Sequence, residues 1–157
     1  YQWTERDVGM MLAGVGVCVA LVQGGLVQIV IRRFGEWPAL TTGLICGAIG
    51  FAVYGLAPTG TIFWLGVPIV SLWGLSGAAT NGLMTRHVKP NEQGQLQGAN
   101  NSLRGIAGLF GPGIHTTIFA NFIGERASWH LPGAPFLLSS VLLLVALVVV
   151  WRAARSR

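Results

Sequence analysis

Charge is what this chain has least of. Only 10% of its 157 residues are Asp, Glu, Lys or Arg, against about 25% in an ordinary soluble domain, and the hydrophobic share is 52%. That balance excludes a water-soluble globular fold. The long apolar runs contain no Asp or Glu, which removes paired-carboxylate chemistry. They also hold no His/Cys grouping at metal-ligand spacing. Gly14 and Gly16 lack the third glycine of a phosphate-binding loop. No enzyme constellation survives, and neither a metal nor a cofactor is expected. Cys18 and Cys46 stand in separate apolar runs without Cys-x-x-Cys spacing, so they are expected to be small buried residues and not a redox pair. No run alternates polar and apolar residues over about ten positions, as the strand of a membrane barrel must.

What is present is a set of five apolar runs, each long enough to cross a hydrocarbon core, a task that takes about 20 residues of helix. They are Val8 to Ile31, Pro38 to Leu56, Thr61 to Leu83, Gly98 to Ile123 and Pro132 to Trp151. The expected fold class is therefore all-α: a polytopic membrane protein of five transmembrane helices, with the lipid bilayer as its solvent. Position 1 is Tyr, the first Met is Met10 and no basic stretch precedes the first run, so the chain is expected to be a fragment without a natural start or a signal peptide.

Nearly all charges sit in the connectors, and basic connectors alternate along the sequence with ones that carry little or no net charge. Arg32 and Arg33 follow the first run, Arg86 and Lys89 the third, and Arg152, Arg155 and Arg157 the last. The opposite side holds only Arg6, flanked by Glu5 and Asp7, and Arg126 beside Glu125. Because Lys and Arg stay on the cytoplasmic side, the first residues are expected outside and the tail inside. The net charge of +5 is spread over three membrane-edge connectors, not gathered on one face, so nucleic acid is not expected as a partner.

Small residues recur at helical spacing: Gly16, Ala20 and Gly24 in the first run, Gly43 and Gly47 in the second, Gly74, Ala78 and Gly82 in the third, Gly98, Gly105, Gly108 and Gly111 in the fourth. Such stripes let helix backbones approach closely in lipid, so these four helices are expected to have partners. The fifth run has no Gly beyond Pro135 and is expected to face mostly lipid, with Ser139 and Ser140 bonded back to their own helix.

The fourth run carries the strongest irregularity. Pro112 removes a backbone hydrogen bond within Gly105-Ile-Ala-Gly108-Leu-Phe-Gly111-Pro112-Gly113, so a kink or swivel is expected there, in a place buried in a bundle or lining a cavity. His115 lies near mid-membrane and can carry a proton, or bond a neighbouring helix, as can Asn121. At the other end of the run Gln97, Asn101 and Arg104 share one helix face, suited to a water-filled cavity mouth or to an interfacial turn. In the third run Trp64, Trp73, Ser71, Ser76 and Asn81 mix rings with polar groups, a combination that can bind a flat amphipathic ligand. Trp64 also fits an interfacial belt. The candidates for a substrate or proton path are Gln97, Asn101, Arg104, His115, Asn81 and Trp73.

The stretch Gly24-Gly25-Leu26-Val27-Gln28-Ile29-Val30-Ile31-Arg32-Arg33-Phe34-Gly35-Glu36 resembles the G-x-L-x-D-R-x-G-R/K loop signature of the major facilitator superfamily, and more closely its weaker copy between helices eight and nine. With Gln95-Leu96-Gln97-Gly98 and the Gly-Pro run that follows, the whole chain resembles the tetracycline-class drug/proton antiporters. This resemblance implies that residues 1–157 form a partial C-terminal bundle, helices eight to twelve, of a twelve-helix facilitator. Gly25 would let the connector pack on the next helix, Arg32 and Arg33 would hold a cytoplasmic gate, and Gly35 would allow a tight turn. The acid usual in the signature is replaced by Val30 or Ile31. Gly105, Gly108, Gly111 and Pro112 would match the antiporter Gly-Pro motif. The partners implied are the missing N-terminal helices, a small-molecule drug and protons, in the bacterial inner membrane. The alternatives are a facilitator for another small solute and a non-transporting five-helix scaffold.

Overall fold

A computed structural model describes residues 1, 3–123 and 131–155. Glu125, Arg126 and Arg157 lie outside the described residues. Five helical segments are long and apolar enough to span a membrane: Glu5–Phe34, Glu36–Leu56, Gly60–Thr85, Pro90–Ile123 and Ala134–Arg155. The first contains α1 (Glu5–Leu21) and α2 (Val27–Phe34), joined by a wider π-type turn over Val22–Leu26. The second is α3 (Glu36–Leu56), the third is α4 (Gly60–Ser71) followed by α5 (Gly74–Thr85), the fourth is α6 (Gln93–Ile123) and the fifth is α7 (Ala134–Arg155).

The ends are set by local chemistry. Thr4 caps α1: its hydroxyl accepts from the Asp7 N–H, and the Asp7 carboxylate accepts from the Thr4 N–H at 2.9 Å. Both groups would otherwise be orphaned at a helix start. Thr59 caps α4 in the same way through the Ile62 N–H. Between α2 and α3 there is a single residue, Gly35, with φ of +88°. Only glycine enters that region without steric cost, so the helix reverses at once. Arg32 and Arg33 therefore lie in the last turn of α2, where cations oppose the negative helix end.

Helix α3 is the centre of the bundle, packed mainly on α7, α5 and α4. Ala39, Leu40, Leu44 and Ala79 form its core with Leu143, Leu147 and Val150 of α7 around them. A second core of Val22, Val27 and Leu75 joins the first span to α5. In lipid such packing rests on close fit and not on expulsion of water, and the glycines of α3 show the fit. A Cβ at Gly43 would lie 2.5 Å from the Ser76 backbone nitrogen, and one at Gly47 would lie 3.0 Å from the Trp73 ring. Gly50 meets the Val70 backbone and side chain, and Gly55 and Gly133 bring the end of α3 against the start of α7.

Several expectations are revised. The stripes on α3 and at Gly82 of α5 are packed, but added Cβ atoms at Gly16, Gly24, Gly98, Gly105, Gly108 and Gly111 would meet nothing within 4 Å among the described residues. In the first span it is Gly14 that admits a neighbour, the Trp64 ring. Gly25 likewise meets nothing, so it does not seat the connector on the next helix. The fifth span is largely exposed, as expected of a helix that mostly faces lipid, with Val141, Leu142, Leu144, Val145, Val148 and Val149 outward, yet its other face is the main partner of α3. Ser139 does bond back to the Pro135 carbonyl, but Ser140 donates instead across the interface to the Ala48 carbonyl at 2.7 Å. Cys18 and Cys46 are half-buried and both free. Helix α6 continues unbroken through Pro112. The interruptions of regular helix fall elsewhere, in the first and third spans.

Candidate functional site

Those two interruptions face each other. In the first span, Val27 N–H reaches back five residues to the Val22 carbonyl, which widens the helix around Gln23, Gly24 and Gly25. Turns of this kind are frequent at functional positions. In the third span Pro68 has no N–H to give, and one turn later the chain tightens. Leu72 and Trp73 N–H groups bond the Ile69 and Val70 carbonyls at 3.2 and 2.9 Å, three residues back, before α5 starts at Gly74. The Gln23 side chain lies over Gly74, its Cγ 3.6 Å from where a Cβ would stand.

Between these segments lies a cavity of about 690 Å³, within the range of small-molecule sites. Its polar wall consists of Gln23, Ser71, Ser76, Asn81 and Arg104, and its rings are Tyr54 and Trp73. Arg104 is the one charged residue among its lining residues, and no carboxylate faces it. The hydroxyls of Ser71 and Ser76 donate to the Val67 and Trp73 carbonyls at 2.8 and 2.7 Å, so toward the cavity they offer only lone pairs. Gln23 and Asn81 carry both donors and acceptors, and Arg104 only donors. Each ring is held by a glycine opposite it. Trp73 lies on Gly47 and meets Phe51 edge-on at 5.6 Å. Tyr54 lies on Gly66 and stacks on Phe63 at 4.1 Å. Such a wall can bind a flat molecule by its faces and an oxygen-rich edge by hydrogen bonds.

Of the six path candidates, the structure brings Trp73, Asn81 and Arg104 to this wall. Gln97 and Asn101 are exposed on α6 and do not line it. His115 is also away from it: its Nδ1 meets the Gly111 carbonyl at 2.9 Å and its Nε2 meets the Ser139 hydroxyl at 3.0 Å, which ties α6 to α7. Asn121 bonds the Thr117 carbonyl of its own helix. Gln23 and Tyr54 escaped sequence reasoning. Gln23 had a signal, an amide between apolar residues and a Gly pair, whereas nothing local distinguishes Tyr54.

At the end of the bundle where α2 meets α3, Glu36 pairs with Arg86 at 3.0 Å. The Glu36 carboxylate is 10% exposed and sits where a Cβ on Gly82 would stand. This acid follows the basic pair of the connector instead of preceding it, and it joins the first connector to the third. Arg32 and Arg33 are exposed, Arg33 lying 5.9 Å from the Phe34 ring. Among the described residues there is no group of three or more His, Cys, Asp or Glu fit to hold a metal.

Comparison with known proteins agrees with these features. The family profile described as Major Facilitator Superfamily matches residues 1–112. The chain is 31% identical over 160 residues to the tetracycline resistance protein, class C, of Escherichia coli, covering 100% of this chain and 38% of that protein. It is 27% identical over 155 residues to the class G protein of Vibrio anguillarum, covering 97% and 37%. It is also 22% identical over 156 residues to Hippocampus abundant transcript-like protein 1 of Homo sapiens, covering 90% and 31%. The chain thus spans less than two-fifths of the length of these curated relatives. No solved structure matches it significantly. With five segments among its described residues long and apolar enough to cross a membrane and a profile match over most of its length, this chain belongs to the major facilitator superfamily.

Proposed function

We propose that the chain forms the C-terminal bundle, helices eight to twelve, of a secondary transporter in the bacterial inner membrane. It exports tetracycline or a similar drug in exchange for protons, by alternating access between two halves rocking about a central site. The observation that carries this reading is the cavity, whose rings, amides and single cation match a flat, oxygen-rich drug. The tetracycline resistance relatives point the same way. Arg32, Arg33 and the Glu36–Arg86 pair then stand at the cytoplasmic gate, with the tail inside, as the distribution of Lys and Arg favours. The glycines of α6 that meet nothing in this bundle, Gly98, Gly105, Gly108 and Gly111, are the surface onto which the N-terminal helices pack.

His115 is the one histidine within the described spans. It holds α6 to α7 and does not face the cavity, so the coupling proton is carried mainly by the rest of the protein. The test is transport by the full-length protein reconstituted into liposomes. An imposed pH gradient should drive tetracycline accumulation, and a protonophore should abolish it. Well-folded protein that moves no tetracycline would reject the reading.

Arg104 favours a second reading, a facilitator for an anionic metabolite, because a cation on an otherwise neutral wall attracts carboxylates. Competition of tetracycline uptake by a panel of small organic acids separates the two.

A further inference from the structure

Tyr54 lines two cavities. One is the cavity described above, and the other is a vestibule of about 610 Å³ at the far end of α3, opposite Glu36. Its walls include Tyr1, Tyr54, Phe63, Leu131, Pro132 and Phe136, and among the described residues no side chain that lines it carries a charge. The rings form one connected set: Tyr54 stacks on Phe63 at an interplanar angle of 9°, and Phe136 meets Tyr54 and Phe63 nearly edge-on at 5.6 and 6.1 Å. Tyr1 lies 6.0 Å from Phe63 and donates its hydroxyl hydrogen to the Ala57 carbonyl. The vestibule ends are pinned by the close approach of Gly55 to Gly133.

We propose that Tyr54 is the partition between the binding cavity and this vestibule, and that the vestibule is a second, transit site for a flat aromatic substrate on its way out. The transit role rests on the transport reading, whereas the partition by Tyr54 does not. Each cavity is large enough for one drug-sized molecule, and Tyr54 is the residue common to their linings. Its ring is held by stacking and by the space Gly66 leaves, since a Cβ at Gly66 would lie 2.7 Å from Tyr54 Cε1. Stacking on Phe63 is a face-to-face contact that a planar substrate can replace ring for ring, so passage exchanges one stack for another. Among the described residues, the side chains lining the vestibule offer no charge to trap an ionic edge, which suits release.

The test uses the full-length protein with Cys18 and Cys46 replaced by Ser and a Val19→Cys probe on the inner cavity wall. A membrane-impermeant maleimide is added from the extracytoplasmic side. Tyr54→Ala should speed labelling about tenfold, equivalent to about 1.4 kcal/mol in the accessible population, while Tyr54→Phe keeps the parent rate. Phe51 touches Tyr54 and Trp73 but lines neither cavity, so Phe51→Ala should leave labelling unchanged. Equal labelling in all variants, or equal acceleration by Phe51→Ala, overturns the partition. The transit site is read from transport kinetics. Phe63→Ala should lower kcat for tetracycline with KM kept, and Phe63→Tyr should restore it; a rise in KM alone or no change overturns the site. Loss of the transport reading would leave the labelling result standing, so the two failures are distinguishable.

Discussion

Arg104 sits alone as a cation on a wall of rings, amides and hydroxyls, and its donors have no carboxylate there to satisfy them. If it holds the oxygen-rich edge of the substrate, Arg104→Gln should weaken tetracycline binding about tenfold, or about 1.4 kcal/mol, and Arg104→Lys should retain most of the affinity. Equilibrium binding to purified full-length protein checks this, and equal affinity in all three would remove Arg104 from the site. Ser140 belongs to a different class, because its partner is the Ala48 carbonyl on α3. Interhelical hydrogen bonds in membranes average about 0.6 kcal/mol and reach about 1.7. Ser140→Ala should therefore cost about 1 kcal/mol of stability in detergent unfolding, with transport unchanged at low temperature. The sequence placed Ser140 on its own helix, since its true partner is 92 positions away and no spacing rule reaches that far.

Among the helices, α3 and α6 carry similar glycine patterns but stand in opposite surroundings. Gly43→Leu would drive a side chain into the Ser76 backbone, and backbone cannot give as a flexible side chain can. It should abolish accumulation of folded protein, assayed by fluorescence-detected size exclusion. Gly105→Leu meets nothing within this bundle. It should leave accumulation close to parent and impair transport, if α6 slides on the N-terminal helices. Pro112 is accommodated inside a continuous helix, so the Gly108 carbonyl faces position 112, where there is no N–H. Pro112→Ala should lower transport more than it lowers accumulation; equal losses would make Pro112 a folding residue only. Five helical segments of membrane-spanning length and hydropathy are present among the described residues, as the all-α reading expects, because length and hydropathy are local properties, but the fourth begins at Pro90 and not at Gly98. Sequence reading expected a kink or swivel at Pro112, where α6 runs on as one helix, and did not foresee the interruptions in the first and third spans. A proline marks lost hydrogen bonds, but whether the backbone breaks depends on what packs there, and the interruption formed where Gln23 and Gly74 meet.

At the level of the assembly, α6 and the first span expose large apolar side chains, among them Leu12, Val17, Leu103, Leu109 and Phe110. The 157 residues in liposomes without further helices should therefore show no tetracycline-dependent proton flux, measured with an internal pH dye. Such flux would mean that the chain closes its own pathway.

The all-helical membrane class, the five apolar runs and the family resemblance were legible from the chain alone. Each depends on composition or on residues adjacent in sequence. Which stripes find a partner, which helix α7 embraces, which three of six polar candidates share a cavity and that Tyr54 joins two cavities were settled by folding. Those facts concern side chains brought together from separate helices, and local periodicity says which face a residue occupies but not what stands opposite.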